Sequence, residues 1–190
     1  MILNIFNPNL LDQRCLVNER AIELALGNKF LETYSGNINL IEVGATMPTY
    51  FQINHLVLDP YDPYEKCIRQ DAETYDLTGR IVLSISTIEN MGRCDYGNDL
   101  NRDPDKAIRF LEKMRRESDH FLITFPVGGN PELDTYVVDN HEVFINELSI
   151  YHRIYYSPPL WQLSKDINII KNTKYGTPFP NGNAIVVLER

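Results

Sequence analysis

The chain is poor in cysteine, in basic charge and in long apolar runs. Its 190 residues include three cysteines, Cys15, Cys67 and Cys94. Odd in number, scattered and without metal-ligand spacing, they argue against a disulfide scaffold and fit free thiols in a reducing compartment. No apolar run approaches the roughly 18 residues of a membrane span. No charged n-region with an apolar stretch opens the chain either. A cytoplasmic protein with no membrane contact is the expectation. Lys and Arg number 18 against 26 Asp and Glu, a net charge of -8, which argues against a nucleic-acid-binding face. The four histidines make no H-x-x-x-H and no cluster with cysteine, so no metal is expected. A P-loop, a G-x-S-x-G elbow and a full G-x-G-x-x-G are all missing.

What is present is an ordinary globular composition, 43% hydrophobic and 23% charged, enough for one domain with a real core. Its informative stretch runs from Asn39 to Gly92. Short apolar strands are expected at 39–44, 55–59 and 81–85, each ending in or followed at once by an acidic or small polar residue. In an α/β sheet such strands bury themselves and present one ligand-reading group at their carboxyl ends.

Around that core the pattern predicts further elements. The first 16 residues read as a loose strand or arm. A helix begins near Asn18, with Ile22, Ala25, Phe30 and Leu31 as its stripe and Gly27 as a weak point. Residues 45–54 leave room for one or two helical turns near Pro48, and 61–70 read as a turn and a short helix. Asp103 and Pro104 open the clearest helix, where Ala107, Phe110, Leu111 and Met114 fall at i, i+3, i+4 and i+7. Strands are expected at 120–125, 147–156 and 184–188, the last two as an antiparallel pair closing an edge of the sheet.

Several residues at strand ends have side chains suited to a ligand. Gly44 would let a ligand approach the backbone, and Glu42 could bond an amino group or orient the loop. Asp59 could accept from both ribose hydroxyls. Asp71 could accept a hydrogen bond from an adenine amino group, with Ala72 beside it. Ser84, Ser86, Thr87 and Glu89 stand at the end of the central strand, where open α/β sheets bind ligands. His141 and His152 are candidate general bases by location alone. Each also has a plain structural reading, as a turn, cap or solvated loop residue.

Taken together, Glu42-Val43-Gly44, Asp59, Asp71-Ala72 and the segment Ser84 to Gly92 resemble the class I S-adenosylmethionine-dependent methyltransferases. More narrowly, the chain is similar to a small bacterial and archaeal group with a first loop of the form Glu-Val-Gly-x-x-x-x-x-Tyr, here Glu42 to Tyr50. In that group the central strand ends in Ser-x-Ser-Thr-x-Glu-His-x-Gly, and a later Asn-Pro-Glu-Leu-Asp corresponds to Asn130 to Asp134. Here Asn90 replaces the histidine.

The resemblance implies a Rossmann-like, three-layer α/β/α fold, mostly parallel, whose seven-stranded sheet has an antiparallel final strand. It implies a single domain: arm and helix (1–36), cofactor-binding core (37–130), and C-terminal strands with a candidate substrate lid (131–190). Glu42, Gly44, Ser84 and Ser86 would then lie at the methionine end of S-adenosylmethionine, Asp59 on its ribose, and Asp71 and Ala72 around its adenine. Glu89 would sit near the methyl group. The implied acceptor is a small molecule or glycan. Two alternatives stand beside this: a non-catalytic binding or scaffold protein on a degenerate methyltransferase fold, and a nicotinamide-dependent enzyme. Oligomeric state is open, a homodimer included.

Overall fold

Alternation along the strands decides which way each side chain faces, and hence how the layers form. A computed structural model describes residues 2–3, 18–93, 102–156 and 159–190. In chain order the elements are β1 (Ile2–Leu3), α1 (Arg20–Thr33), β2 (Leu40–Val43), β3 (Leu56–Leu58), β4 (Cys67–Ile68) and β5 (Ile81–Ile85). There follow α2 (Lys106–Glu117), β6 (His120–Pro126), α3 (Pro131–Asp139), β7 (Leu148–Tyr155), β8 (Leu160–Ser164), α4 (Asn168–Asn172) and β9 (Ala184–Glu189). Of the expected arm, only β1 falls among the described residues. Cys15, Cys94 and the Ser157-Pro158 break lie outside them.

All strands join one sheet, in the order β1-β8-β7-β9-β6-β5-β2-β3-β4. The ladders β4/β3, β3/β2, β2/β5 and β5/β6 are parallel. β9 is antiparallel to both β6 and β7, so β7 runs with β6. β2 to β7 therefore share one direction, and the late strands β8 and β9 oppose it. The two late strands expected at an edge do pair, but β9 is not an edge. Five consecutive residues, Ala184 to Leu188, are buried, and such a strand needs a neighbour on each side and cover on both faces. β8, which local pattern missed, and β1 extend the sheet beyond β7.

One face of the sheet presents Ile41, Val43, Val82, Phe121 and Ile123 to α2 and α3. The other presents Leu40, Ile81, Leu83, Ile85 and Leu122 to α1. The three layers follow from these two apolar cores. Phe110, Leu111 and Met114 of α2 are fully buried, each contributing about 1.5–3 kcal/mol of transfer free energy. That helix begins at Lys106, not at Pro104. Asp103 is no cap: its carbonyl closes a turn onto Lys106 and its carboxylate pairs with Arg109 at 2.7 Å.

Two more expectations are corrected. The buried stripe of α1 is Ile22, Leu24, Gly27 and Phe30, while Ala25 is only half-buried. Gly27 does not break the helix, and its bare Cα leaves room for Met47 and Ile85. Residues 61–70 form no helix but a turn leading into β4, whose pairing to the free edge of β3 supplies backbone partners that a short helix would lack. The crossover at 45–54 contains one 3₁₀ turn, Met47–Thr49, as its length allows.

Candidate functional site

Strand order reverses between β2 and β5. From β2 the chain adds β3 and β4 on one side, then returns to add β5 and β6 on the other. Loops leaving the carboxyl ends of β2 and β5 must diverge, and a crevice opens between them. A cleft of about 400 Å³ lies there, lined by the residues that follow β2, β3 and β5 and closed by Arg20 and Lys106 from the first turns of α1 and α2.

The loops approach closely because of a glycine. Gly44 has φ +86°, and a Cβ there would stand 1.9 Å from Thr87 Oγ1. A side chain at 44 would be strained by its backbone and would collide across the switch point. Its N–H donates to Leu58 O at 2.9 Å, tying the loop to β3. Gly92 plays a similar part on the far wall, with φ +74° and Asp103 O at 1.9 Å from its would-be Cβ.

Of the residues expected to bind a cofactor, Gly44, Asp59, Asp71, Ala72 and Ser86 all line this one cleft. Asp59 follows β3. Its Oδ1 accepts from the N–H groups of Tyr61 and Asp62, at 2.8 and 3.0 Å, which curls the acidic loop over the cleft. Its Oδ2 has no hydrogen bond among the described residues and remains available to a ligand. Asp71 is committed further: Oδ1 accepts from Glu73 N, and Oδ2 pairs with Lys106 Nζ at 2.6 Å. Ser86 holds the left-handed conformation, φ 42°, and its hydroxyl donates into the Glu23 carboxylate, 2.7 and 2.8 Å from the two oxygens. Thr124 Oγ1 donates to the same carboxylate at 2.9 Å, and Arg20 Nη1 lies 3.2 Å from it.

Glu42 and Ser84 do not line the cleft. Glu42 shares the face of Leu40 and is fully buried. It fastens the loop instead: Oε1 accepts from Met47 N at 2.7 Å and Oε2 pairs with His55 Nε2 at 2.9 Å. Burial pushes its carboxyl up, against the pull of His55 and the Met47 amide. Ser84 is buried within β5, its hydroxyl without a partner among the described residues.

The three candidate bases divide. Glu89 is buried in the 3₁₀ turn Ile88–Asn90, behind Asn90 and Met91 of the cleft wall. Its Oε2 has no hydrogen-bond partner among the described residues. Burial, and next the nearby Glu23, raise its carboxyl to about 8. His141 is exposed beyond α3, with Nδ1 at 3.0 Å from Val138 O. His152 stands on β7 and lines a separate cavity against α4. Three strand spacings, about 14 Å, separate β7 from β5. Neither histidine lines the cleft: β6 and β9 separate it from His152, and His141 lies past the end of α3.

Local reasoning missed Arg20, Thr87 as the partner of Gly44, and Lys106. Nothing in the sequence near Arg20 or Lys106 distinguishes them from surface cations; only the docking of α1 and α2 brings them here. Among the described residues no group of three or more His, Cys, Asp or Glu could hold a metal ion, and no helix is long and apolar enough to cross a membrane.

The fold is thus an α/β sheet, mostly parallel, with antiparallel late strands and helices on both faces, consistent with a Rossmann-like arrangement and with a ligand cleft at its switch point. Neither a family model nor a curated protein matches the chain.

Proposed function

We propose that this cleft binds S-adenosylmethionine and that the protein is a class I methyltransferase acting on a small-molecule or glycan hydroxyl. The observation that carries the reading is that Gly44 and Asp59 stand at the ends of the neighbouring strands β2 and β3, beside the switch point, and line one cleft. A bare glycine after the first strand of the parallel sheet and a carboxylate oxygen left open after the second suit a nucleoside whose ribose hydroxyls need an acceptor. A terminal strand that runs against its neighbours adds support, since the sequence resemblance implies it. Methyl transfer breaks the methyl–sulfonium bond and forms a methyl–oxygen bond. The acceptor proton leaves to a base or to water, and most of the catalysis is positioning. Glu89 is the candidate base nearest the cleft, and a carboxyl held at about 8 exchanges its proton in the working range of such an enzyme.

A second reading has one observation in its favour. Asn90 lines the cleft where the resembled group has histidine, and a carboxamide takes no proton. On this reading the cleft binds its ligand without turning it over. Calorimetric titration with S-adenosylmethionine, S-adenosylhomocysteine and NAD tests the binding. Micromolar affinity for the first two, none for NAD, and a loss of at least about tenfold in Asp59→Ala are expected, the loss being that of a hydrogen bond to a charged group. A folded wild-type protein that binds neither adenosyl compound refutes the proposal. Methylation of an acceptor from a nucleotide-sugar panel separates the enzyme from the binding protein.

A further inference from the structure

Charge along the cleft is uneven. At the β3 end stand Asp59 and Asp62. At the other end stands Arg20, the first residue of α1, where that helix packs over β5 and β6; of the other cations lining the cleft, Lys106 pairs with Asp71 and Arg93 donates to Gly129 O. β3 and β5 are two strand spacings apart, about 10 Å, which a nucleoside carrying an amino-acid tail spans.

Arg20 is held in place. Its Nη1 lies 3.2 Å from Glu23 Oε2, and Glu23 is fixed by the Ser86 and Thr124 hydroxyls. The side chain is 24% exposed, so a buried carboxylate anchors it while its edge faces the cleft. The bond to Glu23 engages one of five N–H donors, and a planar fork of this kind matches a carboxylate in two places. Around the guanidinium lie Glu19, Glu23 and Glu89, all buried. An arginine set among carboxyl groups suits a zwitterion better than a plain anion such as phosphate. The carboxylate of the ligand meets the guanidinium, and its ammonium meets the acids. Protonation of Glu89 at neutral pH limits the repulsion a carboxylate would otherwise feel.

We infer that Arg20 is a ligand-binding residue, and that its guanidinium takes the carboxylate of an amino-acid tail at the end of the cleft opposite Asp59. This rests on the reading of the ligand as S-adenosylmethionine and names the group that selects its methionine end.

The test is calorimetric titration of wild type, Arg20→Gln and Arg20→Lys with S-adenosylhomocysteine and with 5′-methylthioadenosine, which lacks the amino-acid tail. Wild type prefers the first. Arg20→Gln weakens S-adenosylhomocysteine about 10- to 100-fold, as expected for a charge-assisted pair, and leaves methylthioadenosine within about twofold. Arg20→Lys keeps a cation beside Glu23 and carries the test if the glutamine variant does not fold. It loses the planar fork, and with it at least about threefold for S-adenosylhomocysteine alone. An equal loss for both compounds, or no loss for either, overturns the role of Arg20 while the cofactor reading stands. Failure of wild type to bind either compound overturns both.

Discussion

Replacing Glu89 by Gln tests the electrostatics of the site directly. The carboxyl lies behind the cleft wall with Oε2 unpartnered among the described residues, and is raised from an ordinary 4.5 to about 8, mainly by burial and then by Glu23. An acid whose folded pKa is raised binds its proton more tightly in the native state than in the unfolded chain. Between roughly pH 4.5 and 8 the unfolded state therefore holds fewer protons, and stability falls as pH rises through that window. A tenfold change in proton affinity is worth about 1.4 kcal/mol, so the rise to about 8 sets a ceiling on the order of 5 kcal/mol above pH 8. Relaxation around the ionised group brings the expected loss to about 2–4 kcal/mol. Gln keeps the shape and cannot ionise. Urea denaturation of wild type and Glu89→Gln from pH 5 to pH 9 should give curves that diverge, the variant gaining at least about 1.4 kcal/mol on wild type across that range. Glu42 and Asp134 are also raised, but both are present in the two proteins and cancel in the difference. Parallel curves would refute the buried, protonated Glu89. If the residue also serves as base, the variant binds S-adenosylhomocysteine normally while methyl transfer falls by about 10²-fold or more.

Two further changes probe the walls of the cleft. Gly44→Ala forces a side chain into φ +86° and onto Thr87 Oγ1, so a loss of about 2–4 kcal/mol in thermal or urea unfolding is expected, with weakened ligand binding. An unchanged melting temperature would mean the loops are not in contact. His55→Leu leaves Glu42 Oε2 buried without its partner, at a cost of about 1–3 kcal/mol, and adding Glu42→Gln should recover part of it because a neutral amide is cheaper to bury than a carboxylate. Failure of the second change to recover any stability would argue against the pair.

Much of the parallel core was legible locally because its strands are short, apolar and closed by polar residues. That pattern gives Leu40–Val43, Leu56–Leu58 and Ile81–Ile85 almost to the residue, and Asp59 at a strand end. The stripe of α2 was equally clear, since Ala107, Phe110, Leu111 and Met114 repeat at helical spacing. Where local pattern misled, a long-range partner was the reason. Residues 61–70 gave up a helix for pairing with β3, and Gly27 stayed helical because Met47 and Ile85 needed the space.

By itself, then, the sequence determined an α/β chain with ligand-reading groups after its strands, because alternation and strand-end polarity act over a few residues. The tertiary structure alone decided which of those groups meet. Sheet order put β2 beside β5, gathered Gly44, Asp59, Asp71 and Ser86 into one cleft, and left His152 three strands away. It also delivered Arg20 from α1 and sealed Glu89 behind the wall, where loss of water, which no local pattern records, sets the charge of a carboxyl.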